Sequence, residues 1–583
     1  MTQTVKRIPY GIANYRVLQQ DNMYYVDKTR FIPQIEAAPY YLIFIRPRRF
    51  GKSLWLSVLQ HYYDVNYREQ FAELFGNTWI GQNPTPDRNT YLTLAFNFSA
   101  VNPHIEEVQV SFEAHGDQVL GYFLERYQAY FGQLERERIL SAPTTADRLQ
   151  ELFFQVTKKD LKLYLLIDEY DNFANTILTT AGESAYRDLT HGAGFFRYFF
   201  NLLKSATTGA LSGLTRLFIT GVSPITLDDV TSGFNIGTHI SLAPQFNELL
   251  GFTEAEIHAL LTYYQTQGQL TPDMAEMEQF TTWYGGYRFA QQANTHVFNP
   301  DAVLYFLEYM MREGQAPPDL IDQNLRTDYK KLRHLLTVDR QLNGNFSLLR
   351  EIIAHGETRG RIKVSFSVER LLAHENFISL LYYLGLLTFD GEREGLPVLQ
   401  IPNLTVRELL YGYLRDGFED VDIFRLNTRR FGEQMGAMAY RGHWQPVFDY
   451  LAEAIAAQTS VRDYLAGEKV IQGFLLAYLN VTNFFLTWSE RELGGGFVDI
   501  YLEPFLARYP DMRYGYLIEL KYIPREKLTE TRLAEVVAEA EAQLRKYRGD
   551  ARAVAVAEKV TLKCLVLVYH GWELVYREEW TDE

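Results

Sequence analysis

The stretch that most constrains this chain covers residues 40–62, YYLIFIRPRRFGKSLWLSVLQHY. A short apolar run, 40–45, leads into a loop that contains Pro and Gly. Apolar residues then recur at helical spacing, at Leu54, Leu56, Val58, Leu59 and Tyr62. The pattern predicts a buried strand, a tight loop and an amphipathic helix, in that order.

The loop in this stretch carries residues suited to binding phosphate. A phosphate-binding loop needs inward-pointing backbone N–H groups, a Lys that neutralises phosphate charge, and a hydroxyl that binds Mg²⁺ at the start of a helix. Gly51, Lys52 and Ser53 supply these groups, whereas Arg46 stands where the usual pattern has its first Gly. Because the tripeptide GKS alone occurs by chance in many chains, the interpretation needs support from elsewhere in the sequence.

That support lies in LYLLIDEYD, where a hydrophobic run leads directly into Asp168 and Glu169. At the end of a core strand, the Asp would bind the Mg²⁺ shell and the Glu would polarise the attacking water. A solvated strand end is the alternative explanation for two acidic residues there. Because Lys52 and Ser53 occur in the matching order and topology, we favour the nucleotide-binding interpretation.

Other candidates for this site are less specific. Thr220 follows the apolar strand TRLFITG at the position of a nucleotide sensor, although Ser and Thr are common at strand ends for ordinary turn reasons. Arg197 and Arg216 are candidate arginine fingers on a γ-phosphate, but nothing in their spacing selects them.

The arginines of the loop itself have two interpretations. We interpret Arg46 as a variant lip of the loop. We expect either the nucleotide or a neighbouring acidic face to be contacted by Arg46, Arg48 and Arg49. We favour the acidic face for at least one of the three, and we assign Arg49 to the nucleotide-binding set.

Strand and helix patterns divide the chain into four predicted regions. Strands that alternate with long helical segments predict a parallel sheet covered on both faces over 1–249. Residues 250–370 are predicted to be largely helical, and 371–440 have the helix, hairpin, helix order typical of a winged-helix-like unit. An α/β pattern returns over 441–583.

The last region carries a second cluster of candidate residues, within GGGFVDIYLEP and YGYLIELKYI. Strand residues alternate between faces, so Glu519 and Lys521 project on one side while their neighbours point into the packing. Asp499, on the neighbouring predicted strand, can reach the same point. Converging Asp and Glu carboxylates would bind Mg²⁺ and activate water against a phosphodiester, while Lys521 would stabilise the nucleophile and the developing charge. An exposed Glu–Lys pair on an ordinary strand is the alternative.

Other residues of this region favour the metal site over that alternative. Glu468, on the preceding predicted helix, could add a further carboxylate directed at the metal. The order helix, strand, strand, helix, strand also suits a restriction-endonuclease-like core. By contrast, Glu490 and Glu492 in SERELGGG are predicted to lie in a solvated turn. Three residues of the following predicted helix could face the substrate: Gln543, Lys546 and Tyr547.

Composition narrows the class of protein. A chain of 583 residues is too long for one hydrophobic core, and 47% hydrophobic with 22% charged residues is ordinary for a globular protein. The net charge of −15 argues against a general basic coat for nucleic-acid binding, although it leaves a local basic groove open. The single cysteine, Cys564, rules out an intrachain disulfide or a Cys-based metal cage, and we expect a buried strand residue. With neither a signal peptide nor a membrane-spanning run in the sequence, we expect a soluble, cytoplasmic protein.

In this order, the motifs resemble those of bacterial proteins that join an N-terminal AAA-ATPase-like domain to a C-terminal nuclease domain of the PD-(D/E)xK superfamily. The matching segments extend over nearly the whole chain: YYVDKT, RPRRFGKSL, IDEYD, TGVSPI, LGFTEAEI, WYGGYRF, VFNP, LLYYLGLLT, IPN, SERELGGGFVDIYL and IELKY. The fold class implied is α/β, with an AAA-like phosphate-loop sheet, a central helical and winged-helix-like region and a restriction-endonuclease-like C-terminal domain. In such proteins an Arg at the first loop position is habitual, so Arg46 fits the family.

The resemblance also implies site residues. ATP or GTP would bind with Mg²⁺ at four positions: Lys52, Ser53, Asp168 and Glu169. A metal-dependent nuclease-like site would consist of Asp499, Glu519 and Lys521, supported by Glu468 and Gln543. Similar proteins tend to carry GRxD before the metal-binding Asp, whereas this chain has GFVD, residues 496–499, and so lacks one Arg that would contact phosphate.

Three functions are compatible with these patterns. The first is a nuclease regulated by a nucleoside triphosphate, with ATP and Mg²⁺ (or Mn²⁺) as cofactors and DNA or RNA as substrate, acting in defence against foreign nucleic acid. The second is a nucleotide-switched binding protein whose nuclease-like domain does not cut, which the net charge and the missing Arg favour. The third is an ATPase with a degenerate C-terminal domain. ATPases of this general type often assemble, so a homo-oligomer is a further expectation.

Overall fold

The structure is a computed structural model that describes residues 5–207, 212–230, 236–271, 276–322, 337–338, 341–342, 344–371, 373–420, 422–462, 464–465 and 467–581. The chain divides into two compact units. The first comprises Met1–Thr281, Gly285–Glu308 and Arg359–Leu399, and the second comprises Thr282–Tyr284, Tyr309–Thr358 and Gln400–Glu583. None of the helices that the structure describes is both long enough and apolar enough to cross a membrane.

A five-stranded parallel sheet forms the core of the N-terminal region. Its strands, in chain order, are β1 (Tyr41–Ile45), β2 (Leu92–Asn97), β3 (Leu163–Asp168), β4 (Arg216–Gly221) and β5 (Thr238–His239). The spatial order is β2-β3-β4-β1-β5, and every neighbouring pair is parallel. All residues of β3 and β4 are buried, as expected of strands covered on both faces. The predicted parallel sheet is confirmed.

Helices connect these strands. In chain order they are α1 (Tyr15–Gln20), α2 (Ile32–Ala37), α3 (Lys52–Tyr63), α4 (Phe71–Phe75), α5 (Trp79–Gln82), α6 (Val108–Arg126), α7 (Gln133–Leu140), α8 (Thr145–Lys158), α9 (Asn172–Thr180), α10 (Gly182–Thr190), α11 (Phe195–Ser205) and α12 (Ile225–Val230). Because β1, β3 and β4 are parallel, the segments that follow all three strands leave the sheet at one edge.

The middle of the chain is mainly helical. Its helices are α13 (Glu254–Thr266), α14 (Met277–Tyr284), α15 (Pro300–Glu313), α16 (Gly344–His355), α17 (His374–Tyr383) and α18 (Leu404–Asp420). Short strands lie between them: β6 (Phe252–Thr253), β7 (Val297–Phe298), β8 (Thr337–Val338), β9 (Gln341–Leu342), β10 (Glu357–Arg359), β11 (Thr388–Arg393) and β12 (Leu396–Gln400). The predicted helix, hairpin, helix order is present as α17, β11, β12 and α18. Single 3₁₀ turns occur at Thr29–Phe31, Val65–Tyr67, Phe98–Ala100, Pro244–Phe246 and Val368–Arg370.

A second five-stranded sheet forms the core of the C-terminal region. The helices here are α19 (Thr428–Arg441), α20 (Gln445–Ala457), α21 (Thr459–Arg462), α22 (Glu468–Leu479), α23 (Glu530–Arg548) and α24 (Ala551–Ala557). The strands are β13 (Phe485–Leu493), β14 (Gly496–Pro504), β15 (Tyr514–Ile523), β16 (Thr561–His570) and β17 (Glu573–Trp580). They lie side by side in chain order, and only β15 and β16 pair in parallel.

The parallel step requires a crossover, which α23 and α24 provide. Apolar residues of α23 at helical spacing, Val536, Ala540 and Leu544, belong to one buried cluster with residues of β14, β15 and β16. Cys564 is buried in β16, as expected. The mixed sheet with a crossover helix confirms the α/β class predicted for this region.

Candidate functional site

The loop between β1 and α3 has the backbone of a phosphate-binding loop. Gly51 caps α3 with a φ of 92°, a left-handed conformation that glycine adopts without the strain a Cβ would add. Arg49, two residues earlier, also has a positive φ of 67°. Lys52 and Ser53 are the first two residues of α3. The N-terminus of α3 therefore follows directly on a tight turn, where free backbone N–H groups and the helix dipole favour an anion.

Lys52 lies inside this loop. Its side chain is buried, and Nζ donates to the carbonyl oxygens of Arg46 at 3.0 Å and Pro47 at 2.9 Å. Burial lowers the pKa of Lys52 to about 8, while the carboxylates of Asp168 and Glu169 act in the opposite direction. The ammonium group is therefore held at the loop by backbone oxygens, which a phosphate could replace.

The acid pair and the sensor position meet at the ends of neighbouring strands. The Thr220 hydroxyl donates to Asp168 Oδ1 at 2.6 Å, and the backbone N–H of Glu169 donates to the same oxygen at 3.0 Å. The contact follows from strand order, because β4 lies between β1 and β3. Glu169, at a φ of 49°, accepts from the Asn172 side chain at 2.5 Å. Asp168 and Thr220 are thus brought together at the edge of the sheet where the loop begins.

Asp171, the third acidic residue of IDEYD, was missed by the sequence interpretation. It is buried and accepts from the backbone N–H groups of Val222 and Ser223, at 3.2 Å and 2.7 Å. It therefore ties the segment after β3 to the segment after β4. The available signal was an acidic residue three positions after Asp168 that the sequence pattern does not place on an exposed helix face.

The interpretation of Arg46 as a lip of the loop was wrong. Its side chain is 1% exposed and donates to three backbone carbonyls, those of Ile45, Ser241 and Phe246, at 2.7–3.0 Å. The guanidinium also lies over the rings of Phe44 and Phe289. Burial lowers the pKa of Arg46 to about 10. Arg46 is a structural anchor that fixes the start of the loop to a distant part of the chain.

The predictions for the other arginines had different outcomes. Arg49 lies 4.0 Å from Asp301, which is the acidic neighbour expected for one arginine of the loop. Arg216 as a γ-phosphate finger is wrong, because it is the first residue of β4 and lies at the opposite end of that strand from Thr220. It is buried, and its donors bond the carbonyls of Ile35 and Glu36. Arg197 lies on α11 and is partly buried.

The second cluster is built on β14 and β15. Asp499 Oδ2 accepts from the backbone N–H of Leu520 at 2.9 Å, which places this carboxylate beside Glu519 and Lys521. Lys521 Nζ donates to Glu519 Oε2 at 3.2 Å and lies 3.9 Å from Glu539 on α23. The Glu519 side chain is 1% exposed. The exposed Glu–Lys pair, the alternative open at the sequence level, does not describe this arrangement.

Two carboxylates in this position repel each other. Burial raises the pKa of Glu519, and the nearby Asp499 charge raises it further. Burial also raises the pKa of Asp499, although the Leu520 N–H lowers it. Burial alone would lower the pKa of Lys521, but the Glu519 and Asp499 carboxylates raise it above its usual value. A cation close to both carboxylates would relieve the cost of their burial.

The residues fit a hard divalent cation. Glu519 Oε1 is buried and accepts no hydrogen bond from the described residues, although a protonated Glu519 carboxyl can donate to the Asp499 carboxylate. Oxygen ligands from Asp and Glu are those that Mg²⁺ prefers, and Mg²⁺ needs only one or two protein carboxylates because it keeps several waters. Asp499 and Glu519 would hold the ion, which would supply charge neutralisation and a water of lowered pKa.

Helix α22 contributes residues to the same cluster. Glu468 accepts a hydrogen bond from the backbone N–H of Tyr522, and burial followed by the Asp499 charge raises its pKa. Gln472, one turn later, was missed by the sequence interpretation; its Nε2 donates to the Asp499 carbonyl at 2.6 Å and to Glu490 at 3.0 Å. The spacing of Glu468 and Gln472, four residues apart on one helix face, was the available signal.

The placement of Glu490 in a turn was wrong. Residues 485–493 form β13, and the turn lies at Gly494 and Gly495. Glu490 also pairs with Lys469 of α22. Glu492 is exposed, as expected. The run of three glycines correctly indicated a turn. The prediction was wrong in extending that turn to the polar residues before it, which belong to β13.

Residues of α23 support the hairpin of β13 and β14. Tyr547 donates to the carbonyl of Phe497 at 3.0 Å, and Lys546 donates to that of Gly495 at 2.9 Å. Gln543 hydrogen-bonds the Tyr547 side chain, and its buried Oε1 has no partner among the described residues. Phe497, at the position where the resemblance implies an Arg, is 57% exposed.

Comparison with known proteins identifies both regions. Residues 9–231 match a family model described as Predicted AAA-ATPase, and residues 466–579 match that of the PD-(D/E)XK nuclease superfamily. The chain therefore carries an AAA-ATPase-like domain followed by a domain of the PD-(D/E)XK nuclease superfamily, as its motifs indicated.

Individual relatives are more distant. An uncharacterized protein in the vnfD 5' region of Azotobacter chroococcum mcd 1 is 25% identical over 330 residues, which cover 54% of this chain and 56% of that protein. The chain thus spans little more than half the length of this relative.

Two solved structures show only a remote likeness. Cdc6p from Pyrobaculum aerophilum is 14% identical with a TM-score of 0.27, over 71% of this chain and 97% of that one. The Aeropyrum pernix ORC2 protein, in ADPNP–ADP complexes, is 13% identical with a TM-score of 0.27, over 72% and 97%. No function follows from similarities of this size.

Proposed function

We propose that the chain binds a nucleoside triphosphate, ATP in the first place and GTP as the alternative, and that the bound nucleotide regulates a metal-dependent nuclease. The substrate is DNA or RNA, and the activity serves in defence against foreign nucleic acid. The proposal includes the four-part division of the chain at residues 249, 370 and 440, a cytoplasmic location and assembly into a homo-oligomer.

The observation that carries the proposal is the convergence of Asp499, Glu519 and Lys521. Two buried carboxylates lie beside one lysine, and the buried Glu519 Oε1 has no partner among the described residues. Such an arrangement costs folding free energy, which a proton on Glu519 or a bound divalent cation lowers. Perturbed carboxylates of this kind are typical of functional sites.

Each residue has a role that its geometry allows. Asp499 and Glu519 hold the divalent ion, and Glu468 adds a carboxylate beside them. Lys521, which is protonated because neighbouring carboxylates raise its pKa, stabilises negative charge that develops on the scissile phosphate. Gln472 fixes the backbone of Asp499. Gln543 offers an amide from α23.

On the nucleotide side, Lys52 binds the β- and γ-phosphates and Ser53 joins the Mg²⁺ shell. Asp168 would hold that shell, while Glu169 would orient the attacking water. Thr220 senses the state of the site because its hydroxyl bonds Asp168 directly. Replacement of the carbonyl contacts of Lys52 by phosphate would couple the loop to the nucleotide.

A second candidate function is nucleotide-switched binding without cleavage. Phe497 favours it, because an exposed aromatic ring stands where similar proteins place an Arg. An aromatic ring can stack on a base but cannot neutralise a phosphate. In this case the C-terminal domain would hold nucleic acid and leave it intact.

A cleavage assay separates the two functions. The full chain is incubated with Mg²⁺ or Mn²⁺ and with single- and double-stranded DNA and RNA, in the presence of ATP, a non-hydrolysable ATP analogue, ADP or GTP. We expect metal-dependent cleavage whose rate depends on the nucleotide. If all four nucleic acids stay intact under every condition, the nuclease proposal fails; if they are bound but not cut, the second candidate is supported.

Variants connect the activity to its site. We expect Asp499→Asn to reduce cleavage by more than about 100-fold, since even the partners of metal ligands cost 10–100-fold. Lys521→Met should cost about 100-fold or more. The matched control is Glu492→Gln, on the same hairpin but exposed. Nucleotide binding should be unchanged in all three.

The nucleotide arm has its own pair of variants. Lys52→Ala should weaken ATP binding by about 10–100-fold, because hydrogen bonds to charged groups contribute about 1.5–3 kcal/mol. Lys158→Ala, at the exposed end of α8, is the control. If Lys52→Ala binds ATP as tightly as the unmodified chain in isothermal titration calorimetry, the proposed phosphate site is wrong.

A further inference from the structure

A third group of polar side chains lies in the first unit, apart from the nucleotide site. His191 Nε2 is 3.5 Å from Glu369 Oε1 and 3.8 Å from Asp229 Oδ1. One atom from each of these three residues lies within 4.8 Å of the other two. The residues come from three separate segments: the end of α10, helix α12 and the 3₁₀ turn Val368–Arg370. Neither the nucleotide chemistry nor the nuclease chemistry uses them.

The orientation of the His191 ring is fixed by its neighbour. Thr190 Oγ1 lies 3.0 Å from the Tyr186 carbonyl, which can only accept, so the hydroxyl hydrogen points there. The same oxygen lies 2.9 Å from His191 Nδ1, and this contact orients the ring. The other nitrogen, Nε2, faces two carboxylates. Nε2 and the two carboxylates therefore present three possible ligand atoms to one point.

The two carboxylates are also held in place. Tyr186 donates to Asp229 Oδ2 at 2.8 Å, and the backbone N–H of Val368 lies 3.4 Å from the same oxygen. Arg187 lies 3.5 Å from Glu369 Oε1. Outer partners on every donor, including the Thr190 hydroxyl on the imidazole, are the arrangement that orients ligands around a bound metal.

We propose that His191, Asp229 and Glu369 bind a divalent transition-metal ion, with Zn²⁺ as the best match. One imidazole and two carboxylates form a nitrogen and oxygen set that zinc accepts, with water in the fourth position. Ligands about 2.0–2.2 Å from a tetrahedral ion are about 3.3–3.5 Å from each other. The measured separations of 3.5 Å and 3.8 Å from Nε2 are close to that value.

The site would join three segments of the first unit. Asp229 follows Thr220 along the chain, through the end of β4 and the start of α12. A metal ion would tie this segment to α10 and to the turn that carries Glu369. It would therefore hold the segment that follows the sensor position, independently of whether nucleotide is hydrolysed.

The test counts metal ions in the full chain, stripped with chelator and kept free of nucleotide. Zn²⁺ uptake is measured by equilibrium dialysis with elemental analysis, and Co²⁺ serves as a spectroscopic probe of the ligand set. We expect His191→Ala and Glu369→Gln each to lose one equivalent of Zn²⁺ and its visible Co²⁺ band. Since Glu369 is partly exposed, Glu369→Gln is the variant least expected to affect folding, which circular dichroism checks.

Controls separate this ion from any bound elsewhere. Asp499→Asn removes a candidate ligand of the nuclease-like site and should keep the Co²⁺ band, as should His258→Ala at an exposed position of α13. His191→Cys should restore uptake and change the Co²⁺ spectrum, because thiolate is also a zinc ligand. Equal Zn²⁺ uptake by the unmodified chain, His191→Ala and Glu369→Gln would overturn the proposal.

Discussion

The AAA-ATPase-like region and the nuclease-like region differ in how they pair the charges that they bury. In the first, the buried cations Lys52 and Arg46 donate to backbone carbonyls, and the buried carboxylates of Asp168 and Asp171 accept hydrogen bonds from nearby N–H and O–H groups. In the second, the buried groups are the carboxylates of Asp499 and Glu519, and Lys521 contacts Glu519. Both sets are desolvated, but in the second set Glu519 Oε1 accepts no hydrogen bond from the described residues, although Asp499 accepts a backbone N–H.

The difference shows what each site requires. Backbone carbonyls already bind the cations of the first site, so that site can persist without ligand and await an anion. The carboxylates of the second site have raised pKa values and a buried oxygen without a partner among the described residues. We therefore expect the second site, more than the first, to gain stability from a divalent ion.

The largest effect should come from Arg46. Arg46→Met removes three hydrogen bonds at a buried position, which should lower the free energy of unfolding of the AAA-like region by about 3 kcal/mol or more. Arg16→Met, at an exposed position of α1, should change it by less than about 0.5 kcal/mol. Urea denaturation monitored by circular dichroism measures both. Equal values would mean that carbonyl contacts do not hold the first site.

Divalent metal should have the next largest effect. Mg²⁺ or Mn²⁺ at about 100 times its dissociation constant should stabilise the nuclease-like region by about 2.7 kcal/mol without nucleotide. The shift should disappear in Asp499→Asn and remain in Ser53→Ala, as followed by thermal unfolding. A shift that disappeared in Ser53→Ala and remained in Asp499→Asn would place the metal-dependent stability at the nucleotide site. It would contradict the difference proposed between the two sites.

Removal of one buried carboxylate should stabilise the metal-free protein. The folded pKa of Glu519 is raised, so the folded state retains a proton that the unfolded state has lost, and stability falls as pH rises through that interval. Glu519→Gln removes this loss. In EDTA its advantage over the unmodified chain should grow by more than about 1 kcal/mol between pH 5 and pH 8, because one pKa unit corresponds to 1.36 kcal/mol.

The pH dependence itself is the check. Denaturant titrations at the two pH values are compared with those of Glu539→Gln, whose carboxylate is mostly exposed on α23. A constant difference between Glu519→Gln and the unmodified chain would show that Glu519 is ionised in the folded state at both pH values, contrary to the description of the second site.

The smallest effect should come from Thr220. Thr220→Val keeps the shape of the side chain but removes one donor to Asp168, which should cost about 1 kcal/mol. Thr180→Val, at the exposed end of α9, is the control. Chemical denaturation gives both values. A cost as large as that of Arg46→Met would mean that the carboxylate of the first site depends on this single bond.

Local patterns predicted much of both sites. Lys52 and Ser53 begin a helix after a buried strand, and Asp168, Asp499 and Glu519 lie on buried strands, as expected from apolar runs that end in or contain acidic residues. These features depend on a few adjacent residues. Side chains alternate between the two faces of a strand in every fold. The predicted roles of these residues stay predictions.

Residues that act through distant partners were not predictable in this way. Gln472 contacts a strand that follows it by more than twenty residues, and Glu490 was assigned to a turn because three glycines follow it closely. Asp171 accepts a hydrogen bond from the backbone of the segment that follows β4. A periodic pattern gives the face on which such a side chain lies but not the segment that will cover that face.

The sequence by itself determined the order of strands and helices, the phosphate-loop turn and the positions of the acidic residues. Only the tertiary structure decided that Arg46 is an anchor, because the Ser241 carbonyl that it binds is 195 residues away. The same is true of His191, Asp229 and Glu369, which three separate segments bring together. Backbone preference and hydrophobic periodicity act over a few residues, whereas the partner of a buried charge is set by the packing of the whole unit.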